Sequence, residues 1–150
     1  MKALIQRVSR GSVTIDDETV GSIGRGFVVL LGVREGDTIE NAQQLAAKTA
    51  TLRVFCDEAR KMNLSLIDID GQALVISQFT LYADTRKGNR PSFVKAAEPV
   101  LAERLYEEFV KRLGDSLGPD NVATGKFGAM MEVEIVNDGP VTVELNTDAK

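Results

Sequence analysis

The sequence predicts a single domain of mixed α and β structure (α/β, or α+β) over residues 1–150. Three observations lead to this fold class. The chain has 150 residues, of which 43% are hydrophobic, and this suits one ordinary domain with its own core. Short apolar runs bounded by turn residues accompany two longer segments of helical spacing. No internal repeat, low-complexity segment or linker divides the chain.

The first third of the chain is predicted to consist of β-strands joined by tight turns. Strand candidates lie at residues 3–8, 12–15, 20–23 and 27–33. The last of them is almost continuously apolar, as is typical of a strand that is covered on both faces. We therefore expect residues 27–33 to form a central strand.

Two amphipathic helices are predicted next. The first runs from about residue 38 to residue 52, and its apolar stripe consists of Ala42, Leu45, Ala46, Thr49 and Leu52. Asp37, followed three residues later by Glu40, has the character of a capping box. The second helix begins near Pro99 and ends at Gly114, with an apolar stripe of Leu101, Leu105, Phe109 and Leu113.

Four further strands are predicted outside this region. Residues 64–67 and 73–79 flank Asp70-Gly71, which is a strong turn dipeptide. Residues 131–135 and 141–145 alternate between apolar and polar, and the turn residues 137–140 are expected to join them as a hairpin with one buried face. Periodicity does not give the order of the strands within a sheet.

The composition limits the possible partners and compartment. The 18 basic and 22 acidic residues give a formal charge of −4, so any contact with RNA must be local, and we expect no DNA partner. The opening residues lack the apolar core of a signal peptide, and no apolar run approaches the roughly 20 residues that cross a bilayer. The single cysteine, Cys56, cannot form an internal disulfide. We therefore expect a cytoplasmic protein with no membrane partner.

Histidine is absent from the sequence. Because histidine is the commonest general base near neutral pH and a frequent metal ligand, catalysis by Ser-His-Asp or Cys-His groups and His-bearing zinc sites are excluded. Cys56 lies beside Asp57 and Glu58, whose negative charge opposes thiolate formation, so it is interpreted as structural. We expect neither a metal nor a cofactor.

The first candidate site follows the predicted strand at residues 73–76. It comprises Ser77, Gln78, Phe79 and Thr80, and the end of a rigid strand is a good platform for a site. A strand that simply becomes solvated as it ends would have the same pattern. Hydroxyl groups are poor nucleophiles unless a base takes their proton, and here that base would be a lysine, a carboxylate or the substrate itself.

Two loops are further candidates. Residues 137–142, NDGPVT, form either an ordinary turn or an exposed stretch of main chain, and the Gly139-Pro140 bond is of the type that can be cis. The basic loop, residues 86–91, contains Arg86, Lys87 and Arg90, which could contact a phosphate backbone. A solvated loop without a partner is the alternative interpretation.

These segments together resemble the D-aminoacyl-tRNA deacylase family. The resemblance rests on SQFTLYAD at residues 77–84, NDGPVT at 137–142, RPSF at 90–93, KMNLSL at 61–66 and IQRV at 5–8, and it extends from residue 1 to residue 145. It implies a homodimer whose mixed β-sheets form a barrel-like core flanked by two main helices. The implied activity is the hydrolysis of the ester of D-aminoacyl-tRNA, and of mischarged glycyl-tRNA, as chiral proofreading in translation.

The resemblance also implies roles for individual residues. Gly139 and Pro140 would form a cis peptide that reaches into the partner's active site as a chiral gate, and Arg7 would help to fix it. The opposite wall would consist of Ser77, Gln78, Phe79 and Thr80, and the pocket for the terminal adenosine would include Phe127, Gly128 and Ala129. Since Thr80 has no evident base, assistance by the ribose 2′-hydroxyl of the tRNA is favoured over a Thr80 nucleophile.

Two other functions stay open from the sequence. A nonenzymatic RNA-binding module would use the basic loop and bind tRNA without turnover. A hydrolase of small esters would use Thr80 or Ser77 as its nucleophile, and it would lose its activity when Thr80 is replaced by alanine.

Overall fold

A six-stranded sheet, a two-stranded sheet and two helices make up the fold, which a computed structural model describes for residues 1–148. The strands are β1 (Lys2–Ile15), β2 (Glu18–Ile23), β3 (Gly26–Gly32), β4 (Phe55–Cys56), β5 (Met62–Leu64), β6 (Gln72–Ser77), β7 (Val122–Thr124) and β8 (Glu132–Asn146). The helices are α1 (Ile39–Thr51) and α2 (Pro99–Leu117), and short 3-10 turns lie at Phe79–Tyr82 and Pro119–Asn121. The predicted mixed α+β class is confirmed.

The long strand β1 organises the larger sheet. On one edge it pairs antiparallel with β3 through residues 2–8 and with β2 through residues 11–15, and on the other edge it pairs with β8. Beyond β3, the strands β6 and β7 continue the sheet in parallel. The sheet curls until β2 approaches β7, since a Cβ atom at Gly21 would lie 2.7 Å from the carbonyl oxygen of Thr124. The result is a nearly closed, barrel-like sheet.

Apolar side chains fill both sides of this curled sheet. Inside it lies a small cluster made of Val8, Val13, Ile23, Val28, Leu74 and Ile76. On the other side, α1 and α2 pack over a larger cluster that includes Phe27, Phe55 and Phe109, each fully buried. As predicted, β3 is central, and it lies between β1 and β6. Because both faces of the sheet are covered at β3, the neighbouring end of β6 is packed against a rigid strand.

The prediction of a hairpin over residues 131–145 is wrong, because both of its predicted strands belong to one continuous strand, β8. The β8 register steps from Gln6 opposite Thr142 directly to Val8 opposite Asn137. Residues 138–141 therefore leave the ladder as a bulge while the strand continues in the same direction. Likewise, the strands predicted at residues 3–8 and 12–15 are two parts of β1.

Other boundaries also differ from the predictions. Thr38, not Asp37, caps α1: its hydroxyl accepts from the backbone N–H of Asn41, while Asp37 binds the terminal amine of Met1 at 2.8 Å. Helix α2 continues past Gly114 to Leu117, before Gly118 at φ 93°. The strand predicted at residues 64–67 lies earlier, as β5, and the one predicted at residues 73–79 ends at Ser77. The short strands β4 and β7 were not predicted.

Candidate active site

The carboxyl end of β6 places the first candidate group at the edge of the sheet. Ser77 is the last residue of β6 and pairs with Leu31 of β3, and the backbone N–H of Gln78 donates to the Leu31 carbonyl at 2.8 Å. The chain then turns into the 3-10 turn that begins at Phe79. The backbone N–H groups of Phe79 and Thr80 start this turn, so the turn itself supplies no acceptor for them.

A cavity of about 620 Å³ opens beside this strand end. Its lining comes from the ends of β3 and β6 and the 3-10 turn, from the start of α2 with the segment before it, and from the segment between β7 and β8 with the start of β8. It consists of Val33, Ile76, Ser77, Gln78, Phe79, Phe93, Ala96, Ala97, Pro99, Ala102, Phe127, Gly128, Ala129, Met130, Met131 and Val133. Six of the predicted site residues thus meet here: Ser77, Gln78, Phe79, Phe127, Gly128 and Ala129. Thr80, the remaining residue of the predicted group at the end of β6, is exposed and is not among the lining residues.

No ionisable side chain lines the cavity within the described part of the chain. Its polar side chains are the hydroxyl of Ser77 and the amide of Gln78. The Gln78 amide nitrogen donates to the hydroxyl oxygen of Thr80, and an amide that donates a proton cannot act as a base toward that hydroxyl. The described lining residues can therefore bind and orient a substrate and exclude water, but they include no side chain suited to general acid–base catalysis.

The wall that carries Phe127 is supported by a buried tyrosine. The Tyr106 hydroxyl of α2 donates to the Val75 carbonyl of β6 at 2.7 Å, and its ring lies 6.0 Å from that of Phe127, centroid to centroid. Burial, aided by the charge of Glu107, raises the pKa of Tyr106 to about 12. The hydroxyl thus stays a neutral donor and connects α2 to the strand that ends in the site.

Several apolar lining residues were not predicted from the sequence. Phe93 packs edge-on against Phe79 with the ring centroids 5.0 Å apart, and Met130 at the rim is 92% exposed. Phe93 lies within RPSF, which contributes only to the family resemblance. The place of Met130 and Met131 in the cavity depends on how β7 and β8 are connected, which local patterns do not give.

Residues 137–142, named the gate segment after the role that the family resemblance implies, contain the bulge of β8, and the Gly139-Pro140 peptide bond is cis. Asp138, Gly139 and Pro140 are exposed, and no residue of the segment lines the cavity of the same chain. At the base of the bulge, the Asn137 side chain accepts from the backbone N–H of Val141 at 2.9 Å. The gate segment is thus separate from the wall residues within one chain.

Arg7 holds the gate segment to the rest of the molecule. Its Nε donates to the carbonyl oxygen of Asp138 at 3.0 Å, and its Nη1 donates to the carbonyl oxygen of Val54 at 2.7 Å. The Arg7 side chain is only 11% exposed. A Cβ atom at Gly139 would lie 3.1 Å from Arg7 Nη2 and 2.8 Å from the backbone nitrogen of Val141, so the close approach requires glycine.

The basic loop is partly charge-balanced. The Arg86 guanidinium binds Asp84 through two nitrogens, at 2.9 and 2.5 Å, and Lys95 Nζ lies 3.8 Å from the same carboxylate. These bonds to the side chain and backbone of Arg86 hold the pKa of Asp84 well below its usual range. Lys87 and Arg90 are exposed.

Residues 1–148 contain no cluster of three or more His, Cys, Asp or Glu side chains that could hold a metal ion. None of the helices in this part of the chain is both long and apolar enough to cross a membrane. Cys56 is exposed, and its sulfur lies 4.0 Å from Arg7 Nη1.

Comparison with solved structures identifies the class of fold. The chain superposes on the c-Myc DNA Unwinding Element Binding Protein with a TM-score of 0.95 and 44% identity, covering 99% of this chain and 100% of that one. It also resembles a probable eukaryotic D-amino acid tRNA deacylase, with a TM-score of 0.84 over 97% of this chain and 98% of that one. At 17% identity, the second likeness is one of fold alone.

Sequence comparison then gives the family. A family model described as D-Tyr-tRNA(Tyr) deacylase matches residues 4–146. The D-aminoacyl-tRNA deacylase of Roseiflexus sp. (strain RS-1) is 55% identical over 150 residues, covering 98% of this chain and 94% of the relative. The chain belongs to the D-Tyr-tRNA(Tyr) deacylase family.

Proposed function

We propose that this protein is a hydrolase that cleaves the ester bond of D-aminoacyl-tRNA, releasing free tRNA and the D-amino acid. The observation that carries the proposal is the cavity at the end of β6, in which Ser77 and Gln78 face an apolar wall built around Phe127, Gly128 and Ala129. Its volume of about 620 Å³ lies within the range usual for small-ligand sites, roughly 300–1,000 Å³. Membership of a deacylase family supports this assignment.

The cavity is proposed to hold the terminal adenosine with its aminoacyl ester. The base lies against Phe127, Gly128 and Ala129, while the ester carbonyl lies at the β6 end. The backbone N–H groups of Phe79 and Thr80, which begin the 3-10 turn, stabilise the oxyanion that develops when water attacks the carbonyl. Ser77 and Gln78 orient the ester.

The proton transfer is proposed to come from the substrate. Since the cavity has no ionisable side chain, the ribose 2′-hydroxyl next to the ester is the group placed to assist the attacking water. The bond between the ester carbonyl carbon and O3′ then breaks, and O3′ leaves as a hydroxyl with the proton that the attacking water has given up. The protein positions the ester, excludes bulk water and supplies backbone N–H dipoles.

Discrimination between D and L is proposed to come from a second copy of the chain. The gate segment of one subunit, with Gly139 and Pro140 at its tip and Arg7 behind it, would enter the cavity of the other and hold the α-amino group through main-chain carbonyls. An L side chain would collide with this rigid main chain, which is specificity by rejection. The exposed apolar side chains at the cavity rim, Phe79 at 55% and Met130 at 92%, support a dimer surface there.

The deciding experiment compares D-Tyr-tRNA with L-Tyr-tRNA. The purified protein should hydrolyse the D-ester and leave the L-ester intact, with glycyl-tRNA hydrolysed as a third substrate. Equal persistence of both tyrosyl esters would refute the enzyme hypothesis and favour a nonenzymatic RNA-binding module. Sedimentation velocity measures the oligomeric state, and a monomer at the assay concentration would refute the shared gate.

The role of Thr80 separates two mechanisms. Thr80→Ala should retain turnover within about tenfold, because a hydroxyl without a base adds little to the reaction. A loss of a thousandfold or more in a folded variant would instead support the small-ester hydrolase with a Thr80 nucleophile. D-Tyr attached to a 2′-deoxy terminus is the matched test, since it should be hydrolysed far more slowly by the unaltered protein.

The remaining assignments concern partners and location. Lys87 and Arg90 of the basic loop are proposed to contact the tRNA backbone, with Arg86 contributing less because Asp84 balances its charge. The protein is proposed to act in the cytoplasm, where aminoacyl-tRNA is used, without a metal or cofactor. The absence of a DNA partner stays a prediction, and a duplex DNA binding assay tests it.

A further inference from the structure

A second group of basic side chains lies around the small β4–β5 sheet, away from the basic loop. We name it the hairpin patch, and it consists of Arg25, Arg53, Arg60 and Lys61, all exposed. Arg60 and Lys61 lie in the turn between β4 and β5, where Arg60 has a positive φ of 62°. The Arg53 guanidinium donates to the Asn63 side chain at 3.1 Å. The guanidinium carbon of Arg25 lies 5.3 Å from the ring centroid of Phe55.

The hairpin patch is tied to the gate segment by one side chain. Arg7 donates at 2.7 Å to the carbonyl of Val54, the residue before β4, and at 3.0 Å to the carbonyl of Asp138 in the gate segment. A single guanidinium therefore spans the gap between the two. Because Val54 directly follows Arg53 and precedes β4, the base of the hairpin patch lies beside the gate segment.

The hairpin patch is locally positive in an acidic chain. Arg25 and residues 53–64 include four basic and two acidic residues, whereas the whole chain carries −4. One of the two acids, Asp57, accepts from the backbone N–H groups of Ala59 and Lys61, so its carboxylate faces the turn. Within residues 1–148, no ion pair joins a cation of the hairpin patch to a carboxylate.

We infer that the hairpin patch binds the phosphate backbone of the tRNA acceptor stem. The inference rests on the proposed function, because the gate segment would bring the hairpin patch to the mouth of the partner's cavity, where the tRNA leaves the site. Exposed Arg and Lys side chains without carboxylate partners are the groups that bind phosphates and release counterions. Arg86 of the basic loop lacks this freedom, since it is paired with Asp84.

The test compares a full substrate with a truncated one. The double variant Arg60→Gln/Lys61→Gln is assayed on D-Tyr-tRNA and on D-Tyr esterified to a short single-stranded oligonucleotide with the same 3′ end. On the tRNA, kcat/KM at low salt should fall about tenfold, and the slope of log kcat/KM against log salt should become shallower by about 1.5 to 2. On the oligonucleotide, kcat/KM should stay unchanged, because that substrate has no stem.

A matched control uses the exposed face of α2. The double variant Arg104→Gln/Lys111→Gln removes the same charge from exposed helical positions and should leave both the rate and the salt slope on tRNA unchanged. An unaltered salt slope in the hairpin variant, or an equal loss on both substrates, would overturn the inference. Hydrolysis of both D-substrates by the unaltered protein, with L-Tyr-tRNA spared, checks the proposed function separately.

Discussion

Replacing Arg7 by methionine should release the gate segment while keeping most of the buried side-chain volume. The guanidinium makes two main-chain bonds, to Val54 at 2.7 Å and to Asp138 at 3.0 Å. Methionine has a similar length but no donor, so both carbonyls lose their charged partner. The change should therefore lower stability and, more specifically, the discrimination between D and L.

The expected size follows from the two bonds. A hydrogen bond to a charged group contributes about 1.5–3 kcal/mol, and the contribution falls toward the lower end where water can replace the donor. Val54 is buried at 8% exposure, whereas Asp138 is exposed, so the free energy of unfolding should fall by about 3–4 kcal/mol in total. For a chain of 150 residues this lowers Tm by roughly 5–15 °C.

The assay combines urea unfolding with hydrolysis of D-Tyr-tRNA and L-Tyr-tRNA. Loss of the Asp138 bond alone is worth about 1.4 kcal/mol, so the ratio of D to L rates should drop about tenfold at a temperature where the variant is folded. Arg10→Met is the matched control on the same strand. Arg10 makes an exposed ion pair with Glu134 at 3.3 Å, which is worth at most about 1 kcal/mol, and it does not touch the gate segment. An Arg7 variant that is folded and keeps its full chiral preference would refute the role of the guanidinium.

Three further predictions concern single positions. Gly139→Ala should lower the free energy of unfolding by about 1–3 kcal/mol and reduce chiral selectivity, since φ is +137° and the added Cβ meets main chain; in the control Gly88→Ala, φ is also positive but nothing lies within 4 Å, so selectivity should be kept. Tyr106→Phe should cost about 1–2 kcal/mol in urea unfolding, because a carbonyl of β6 loses its 2.7 Å donor, while D-Tyr-tRNA hydrolysis continues. Asp84→Asn should lower Tm at pH 7, because Arg86 depresses the folded pKa of Asp84 and the charged carboxylate therefore stabilises the fold. That stabilisation is fully present above about pH 5 and is lost as the pH falls through the folded pKa. The Tm difference between the variant and the unaltered protein should therefore vanish in acid. A Tm difference that grows with falling pH would contradict it.

Local patterns were sufficient for the helices and the central strand. The apolar stripes of α1 and α2 repeat at helical spacing, and the unbroken apolar run of β3 marks a strand covered on both faces. Such signals depend on neighbours along the chain, so the sequence contains them directly. The cap of α1 was misplaced by one residue because Asp37 and Thr38 are both good caps, and Asp37 is occupied by the amine of Met1.

These local patterns do not predict which strands pair when they are far apart in the sequence. Two alternating runs around Asp138-Gly139 have the local signature of a hairpin, but β1 is long enough to pair with both runs on one edge. The choice between a turn and a bulge is decided by that partner, about 130 residues away in the sequence. Polar residues at the end of β6 could be found locally, whereas Phe93 and Met130 reach the cavity only through the fold.

The pairing of β8 with β1 on both sides of residues 138–141 has a mechanical consequence. A loop that connects two different elements can swing about its ends, but this one leaves and rejoins the same ladder, so outward motion would require strand pairs to break on both sides. Both ends of the bulge are therefore fixed to β1. If residues 138–141 act as the proposed gate, a main-chain obstacle of constant shape would test the configuration at the α-carbon and not the length or chemistry of the side chain. One such protein would then serve D-amino acids of different kinds.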